Sequence, residues 1–204
     1  MKLHWSPRSP FVRKVMIFAL EAGLAGRLER VRSVVAMRQP NAVLMQDNPL
    51  SKLPTLVLDD GRALFDSYVI CEYLDGLHGG APLVPKSGPE RWEALRWHAL
   101  GNGFLDMLIL WRNERDRPVG QQSKELLDAF AVKGSATLAR LEQEAGALGA
   151  GPFRIGQIAI ACALGYLDFR FADLDWRSGH ARLAAWFGGV SQRPSVRDTI
   201  PVDD

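Results

Sequence analysis

Apolar and polar positions change rhythm along this chain, and the changes divide it. "KLHW" (Lys2 to Trp5) is a short run of strand length. From Pro10 to Gly23 a helix is predicted, with Phe11, Val12, Val15, Met16 and Ala19 along one side and Gly23 as its stop. In "RLERVRSVV" Leu28, Val31 and Val34 recur among charged residues, a weak strand pattern. "PNAVLMQDN" suits a short helix or irregular chain. "LPTLVLDDGRALF" is two apolar runs joined through Asp60-Gly61, which predicts a hairpin. "DSYVICEYLDGL" reads as a helix with Val69, Ile70, Tyr73, Leu74 and Leu77 inward and Glu72 and Asp75 outward. The order β-α-β-α-β-β-α joins a parallel βαβ unit to an antiparallel hairpin and a closing helix, giving a mixed four-stranded sheet.

"HGGAPLVPKSGPE" breaks both periods, so a linker over 79–88 is expected to separate a first domain, 1–78, from a second, 89–204. The second domain reads as helical throughout. One helix runs from Glu90 to about Asn113 and carries Trp92, Leu95, Ala99 and Leu110. The next runs from Ser123 to about Leu148, with Leu127, Phe130, Leu138 and Leu141 at helical spacing. "GQIAIACALGYLDFRF" is apolar almost all round, which marks the centre of a bundle. "SGHARLAAWFGGVSQRP" opens at a Ser178 cap and stops before Pro194. The predicted fold class is thus an α/β domain followed by an all-α domain.

Composition narrows the function. The 204 residues are 47% hydrophobic, and the 25 basic side chains are scattered against 23 acidic ones, leaving a net charge of +2. That offers no basic face for nucleic acid. "MKLHWSPRSPF" holds no apolar leader core, and "IAIACALGYL" and "FLDMLILW" are too short to span a bilayer. A cytoplasmic protein without a membrane partner is expected. Cys71 and Cys162 lie in apolar helical runs and read as inert buried thiols. The four histidines are far apart in sequence, so no metal site is expected.

Three stretches carry candidate chemistry, each with a plain alternative. In "SPRSPFVRKV" Ser9 can cap a helix that begins at Pro10; the same hydroxyl and helix end can also hold an anion such as a thiolate. In "NPLSKLPTLVL" Pro54 can simply begin an edge strand. A cis Leu53–Pro54 bond would instead turn the Leu53 backbone outward to pair with an extended peptide. In "LFDSYVI" Asp66 can be an N-cap, or Asp66 and Ser67 together can take the ammonium and carboxylate of an amino-acid head group.

"SPFVRKV", "NPLSKLPTL" and "LFDSYVI-CEYL", in this order and spacing, resemble the thioredoxin-like half of a glutathione S-transferase of the bacterial serine type. "PFRIGQIAIACALGYLDFR" and "WFGGVSQRPSVRDTIP" resemble the family's central helix and terminal segment, so the likeness covers essentially the whole chain. It implies a thioredoxin-like N-terminal domain, a helical C-terminal bundle and glutathione as co-substrate. It also implies a small hydrophobic electrophile as second substrate, and a homodimer. Carried over by position, Ser9 is the thiol-activating residue, with Ser6 one turn earlier as the alternative. Phe11 borders the site, Leu53 before Pro54 holds the cysteinyl part, and Asp66 and Ser67 hold the γ-glutamyl end. Lys52 meets the glycyl carboxylate or is a solvated lysine. A second-substrate pocket is expected between the domains at Arg8, Trp111 and Arg112, near Phe104, Met107, Leu108 and Arg115, most of whose apolar members read as core before pocket. The chain departs from the family at the central helix, where a Ser/Thr-x-x-Asp capping box is replaced by Arg154 and Gln157. A protein of the same fold that binds glutathione without turnover is the alternative function.

Overall fold

The computed structural model describes residues 1–203. Strand β1 (Lys2–Trp5) is the middle of the sheet. It pairs in parallel with β2 (Glu29–Arg32), Leu3 opposite Arg30, and antiparallel with β3 (Thr55–Val57), Leu3 opposite Leu56. β4 (Ala63–Leu64) closes the order β2-β1-β3-β4, a mixed four-stranded sheet. Helix α1 (Pro10–Glu21) crosses between the parallel strands. Its start is fixed chemically: Ser9 caps it and Pro10 fills the first position, where no N–H is needed. Beyond its end Gly23 adopts φ 69°, a left-handed conformation that suits glycine. The β3–β4 hairpin turns at Gly61, φ 86°, with Asp60 Oδ1 accepting from the Arg62 N–H at 3.0 Å. Between β2 and β3 the expected short helix is one 3-10 turn, Leu44–Gln46.

Helix α2 (Ser67–Asp75) corrects two expectations. Val69, expected inward, is 43% exposed, and Asp75, expected outward, is buried. Asp75 accepts from the N–H groups of Leu83 (2.7 Å) and Val84 (3.4 Å) and from His78 Nε2 (3.1 Å). A carboxylate can be buried there because it satisfies backbone donors of the segment that leaves the sheet. Residues 79–87 hold neither helix nor strand.

The remainder is helical: α3 (Gly88–Arg115), α4 (Lys124–Ala150), α5 (Ile155–Arg170), α6 (Ala181–Val190) and a single turn, α7 (Pro194–Arg197). On α3 the core face is Ala94, Trp97, Phe104, Leu105, Leu108 and Trp111, whereas Trp92 is 72% exposed and Leu110 lies outside too. Ser178 does not cap α6, which starts after His180. As predicted, α5 is the bundle's centre, buried from Ile155 to Leu167. Its start keeps half of a capping box: Gln157 Oε1 accepts from the Arg154 N–H at 3.3 Å, while Arg154 reaches Glu90 at 2.6 Å. Glu144 of α4 ties α3 to α4. Burial alone would raise its pKa, but hydrogen bonds from Arg96, Trp97 and Arg140 outweigh that and hold it at about 2.

Helices α3 and α5 meet where side chains vanish. A Cβ on Gly101 would stand 2.7 Å from the backbone of Ala159 and Ile160, and one on Gly156 would stand 2.8 Å from Ala94 O and Trp97 Cβ. Gly101→Ala is therefore expected to force the helices apart and cost about 1–3 kcal/mol, despite the better helix propensity of alanine. Gly103→Ala, two residues on and facing open space, is expected to gain about 1 kcal/mol. Urea midpoints of the two variants check this pair of opposite signs.

Candidate functional site

The chain leaves β1 at Trp5 and must turn before α1 can begin. Ser6 makes that turn: its carbonyl accepts from the Ser9 N–H at 3.2 Å, and its buried hydroxyl accepts from the Arg8 N–H at 3.4 Å. Ser9 is half-buried, and its Oγ accepts from the Val12 N–H at 3.3 Å. The bond uses an oxygen lone pair and leaves the hydroxyl proton free to be donated. This hydroxyl stands at the positive end of a twelve-residue helix.

The loop before β3 is built around Asn48, buried to 1% exposure. Its amide donates to Lys52 O (3.2 Å) and Thr55 Oγ1 (2.9 Å), Thr55 Oγ1 donates to the same Lys52 carbonyl at 2.9 Å, and Asn48 Oδ1 accepts from the Leu50 N–H. These bonds fix Leu53–Pro54 on both sides, and the prolyl bond is cis. The Lys52 side chain is exposed. At the start of α2 the Phe65–Asp66 bond is also cis. Asp66 caps the helix by accepting from the Tyr68 N–H at 3.0 Å and is otherwise exposed, while Ser67 beside it is buried.

Beneath these elements lies a buried cation, Lys14 of α1. Its ammonium donates to His98 Nε2 (3.0 Å) and Asn102 Oδ1 (2.6 Å) of α3 and stands 5.5 Å from the centre of the Phe11 ring. The His98 ring in turn lies 4.8 Å from that of Tyr68. Burial lowers the Lys14 pKa, opposed in part by Cys71, Cys162, Asp66 and Asp106. Burial and then Lys14 push His98 down to about 3, so its Nε2 is the unprotonated acceptor that Lys14 requires. Asp106 of α3 is raised by desolvation, with Lys52 and Lys14 opposing and Asp66 reinforcing. Asp106 therefore shares an electrostatic neighbourhood with Asp66 and Lys52.

Residues 8–77 match the family model described as glutathione S-transferase, N-terminal domain, and residues 124–189 match its C-terminal domain counterpart. The GST-like protein YibF of Escherichia coli is 34% identical over 203 residues, 98% of each chain. The chain belongs to the glutathione S-transferase family. Among solved structures, a glutathione transferase family member from Pseudomonas fluorescens Pf-5 with bound glutathione superposes with a TM-score of 0.96 at 44% identity, covering 99% of both chains. A glutathione S-transferase from Methylobacillus flagellatus with glutathione bound gives 0.88 at 34% identity, over 98% of this chain and 99% of that one.

Within this glutathione S-transferase fold, the expected second-substrate residues fare differently. Trp111 is a core residue: its ring packs 5.1 Å from Phe171 and 6.3 Å from Phe130, and Phe104 and Leu108 are buried with it. Apolar residues at helical spacing on α3 face the bundle, and the spacing alone does not separate a core face from a cleft face. Arg112 stays partly exposed and pairs with Asp116 at 3.0 Å, and Arg8 is half-buried. Arg115 is turned to Asp173 at 2.8 Å. Sequence reasoning missed Asn48, Lys14, His98 and Asp106. Lys14 alone carried a signal, since it is a charge among the inward residues of a buried helix. Both cysteines are free and buried, with burial raising Cys71 to about 12 and Cys162 to about 11. No helix among the described residues is long and apolar enough to cross a membrane.

The His98 shift makes a pH prediction. Unfolded, His98 titrates near 6.5; folded, near 3. Between those values the unfolded chain binds the extra proton. Stability from this group is complete above pH 6.5 and falls with acidification by up to about 1.4 kcal/mol per pH unit. His98→Gln, which keeps an acceptor for Lys14, is expected to flatten that loss. Denaturant titrations from pH 6.5 down to 5.5, above the ordinary glutamate value of 4.5, check it.

Proposed function

We propose that this protein is a glutathione transferase in which Ser9 stabilises the thiolate of bound glutathione for attack on a small hydrophobic electrophile. The observation that carries the reading is the Ser9 hydroxyl: it is partly open, held at the first turn of α1 by Val12 N–H, and still has a proton to donate. Ser6 is the weaker candidate because it is buried, whereas Ser9 is partly open. Relatives of high similarity whose structures hold glutathione support the ligand.

Glutathione would lie extended across the three stretches. The Leu53 backbone, presented before cis Pro54, would pair with the cysteinyl residue. Asp66 would take the γ-glutamyl ammonium, and the Ser67 end of α2 its carboxylate. Phe11 would border the cysteinyl part, and Lys52 would meet the glycyl carboxylate. A free thiol with a pKa of about 8.5 is only about 3% thiolate at pH 7. Lowering that pKa by about 2 units takes about 2.7 kcal/mol of preferential anion stabilisation. A hydrogen bond to a charged group contributes about 1.5–3 kcal/mol and a helix N-terminus about 0.3–1. Ser9 with the end of α1 is sufficient, and no general base is required. The sulfur then attacks the electrophilic carbon, which would sit toward Arg8 and Arg112. The new S–C bond forms as a carbon–halogen bond breaks and halide leaves with the electron pair, or as an epoxide C–O bond opens to an alkoxide that takes a proton from water. The homodimer and cytoplasmic location common to the family belong to the same proposal.

Ser9→Ala is expected to raise the thiol pKa of bound glutathione by about 1–2 units and cut turnover at pH 7 by roughly 4- to 25-fold, with retention on immobilised glutathione nearly unchanged. Thiolate absorbance of the complex and initial rates with a halide, epoxide and peroxide panel check it. A bound thiol whose pKa equals that of free glutathione refutes catalysis and leaves binding alone. Asp66→Ala is expected to abolish retention on the glutathione resin; unchanged retention refutes the assigned γ-glutamyl contact.

A further inference from the structure

Residues 198–203 hold neither helix nor strand, yet Asp203 has a defined seat. Its carboxylate accepts from Arg170 Nη1 at 2.8 Å and Nη2 at 2.5 Å, two bonds in parallel. Arg170, at the end of α5, is the fixed member of the pair. Its guanidinium lies 3.7 Å from the centre of the Phe169 ring, and its side chain is 14% exposed against 62% for Asp203. Arg170 makes no other hydrogen bond among the described residues.

Two further arginines face the same place. Hydrogen bonds from Arg170 hold the Asp203 carboxyl below its ordinary range, and Arg8 and Arg112 add to the pull. Burial raises the Tyr166 pKa and Arg112 and Arg170 oppose the rise, so these two cations also share the surroundings of one phenol. The Arg112 side chain is 37% exposed and pairs with Asp116 at 3.0 Å. Arg8 directly precedes Ser9, so the cluster adjoins the hydroxyl assigned to the thiol. Asp203, exposed and on irregular chain, can give way to a ligand carboxylate that makes the same two bonds with Arg170.

We propose that Arg170, with Arg8 and Arg112, selects an electrophile that carries a carboxylate, and that Asp203 holds this place until the ligand displaces it. The proposal rests on the glutathione transferase reading and narrows its electrophile to an anionic class. A guanidinium held against an aromatic ring presents a planar fork already shaped for a carboxylate, so binding has little left to order.

The probes are S-benzylglutathione, S-(4-carboxybenzyl)glutathione and its uncharged counterpart S-(4-carbamoylbenzyl)glutathione. Calorimetry on the full chain is expected to show the carboxybenzyl conjugate binding at least about tenfold tighter than the carbamoylbenzyl one. Arg170→Gln is expected to remove that preference and leave S-benzylglutathione binding unchanged. If that variant does not fold, Arg112→Gln, at a more exposed position, is expected to cut the preference about two- to fivefold. Asp203→Asn is expected to tighten carboxybenzyl binding about two- to fivefold and leave the carbamoylbenzyl conjugate unchanged. Failure of all three conjugates to bind refutes the glutathione reading and the proposal with it. Binding of S-benzylglutathione without a carboxylate preference, a preference undiminished in the folded arginine variant, or no gain from Asp203→Asn overturns the proposal alone.

Discussion

Helix α1 has no solvent face along most of its length, and the rest of the molecule is arranged around that burial. From Val12 to Ala19 every residue is buried, with α5, α2 and α7 packed against the helix. Two of those eight positions are cations, Arg13 and Lys14. Moving charge out of water is costly unless hydrogen bonds replace the lost solvation. Each cation is therefore met by a specific concession from the helical domain: His98 and Asn102 for Lys14, a glycine and a carbonyl for Arg13. At its C-terminal end α1 is fastened again, Glu21 accepting from Arg193 at 2.6 and 3.1 Å and from Ser195. These contacts cross from the first eighty residues to positions between 98 and 196, so the two parts are joined by directional bonds as well as apolar packing.

That junction also positions the candidate site. Ser9 and Phe11 belong to the first turn of α1, and Asp66 and Ser67 to the first turn of α2. The chain of contacts from Phe11 through Lys14 and His98 to Tyr68, whose N–H is held by Asp66, links the two turns through α3. A shift of α3 would move both ends of a tripeptide site together. Asn48 does the equivalent work for the third element, since one buried amide clamps the carbonyl of Lys52 and the hydroxyl of Thr55 around Leu53–Pro54.

Periodicity made the architecture legible because core-facing residues repeat at the period of their element. It failed where a polar group was buried for a local reason. Asp75 looks solvent-facing on a helical wheel, yet it is inward because two linker amides require an acceptor. Trp92 looks like core by residue type and is exposed near the start of α3, ahead of its first core-facing residue, Ala94. The stretches around Ser9, Pro54 and Asp66 were legible because capping, proline and turn chemistry are written in adjacent residues. His98, Asn102 and Asp106 were not, because their meaning depends on what α3 packs against, and no local pattern encodes that.

On the proposed reading, the positive end of α1 favours a neutral hydroxyl at residue 9. A carboxylate at residue 9 would face the positive end of α1 and would itself occupy the potential that a thiolate needs. Serine accepts one backbone N–H and keeps its proton, so it directs that potential outward without consuming it. A cysteine there would bring a nucleophile of its own and open disulfide exchange with glutathione, a different reaction. On the proposed reading, the choice of serine commits the site to stabilising a ligand's charge rather than carrying one.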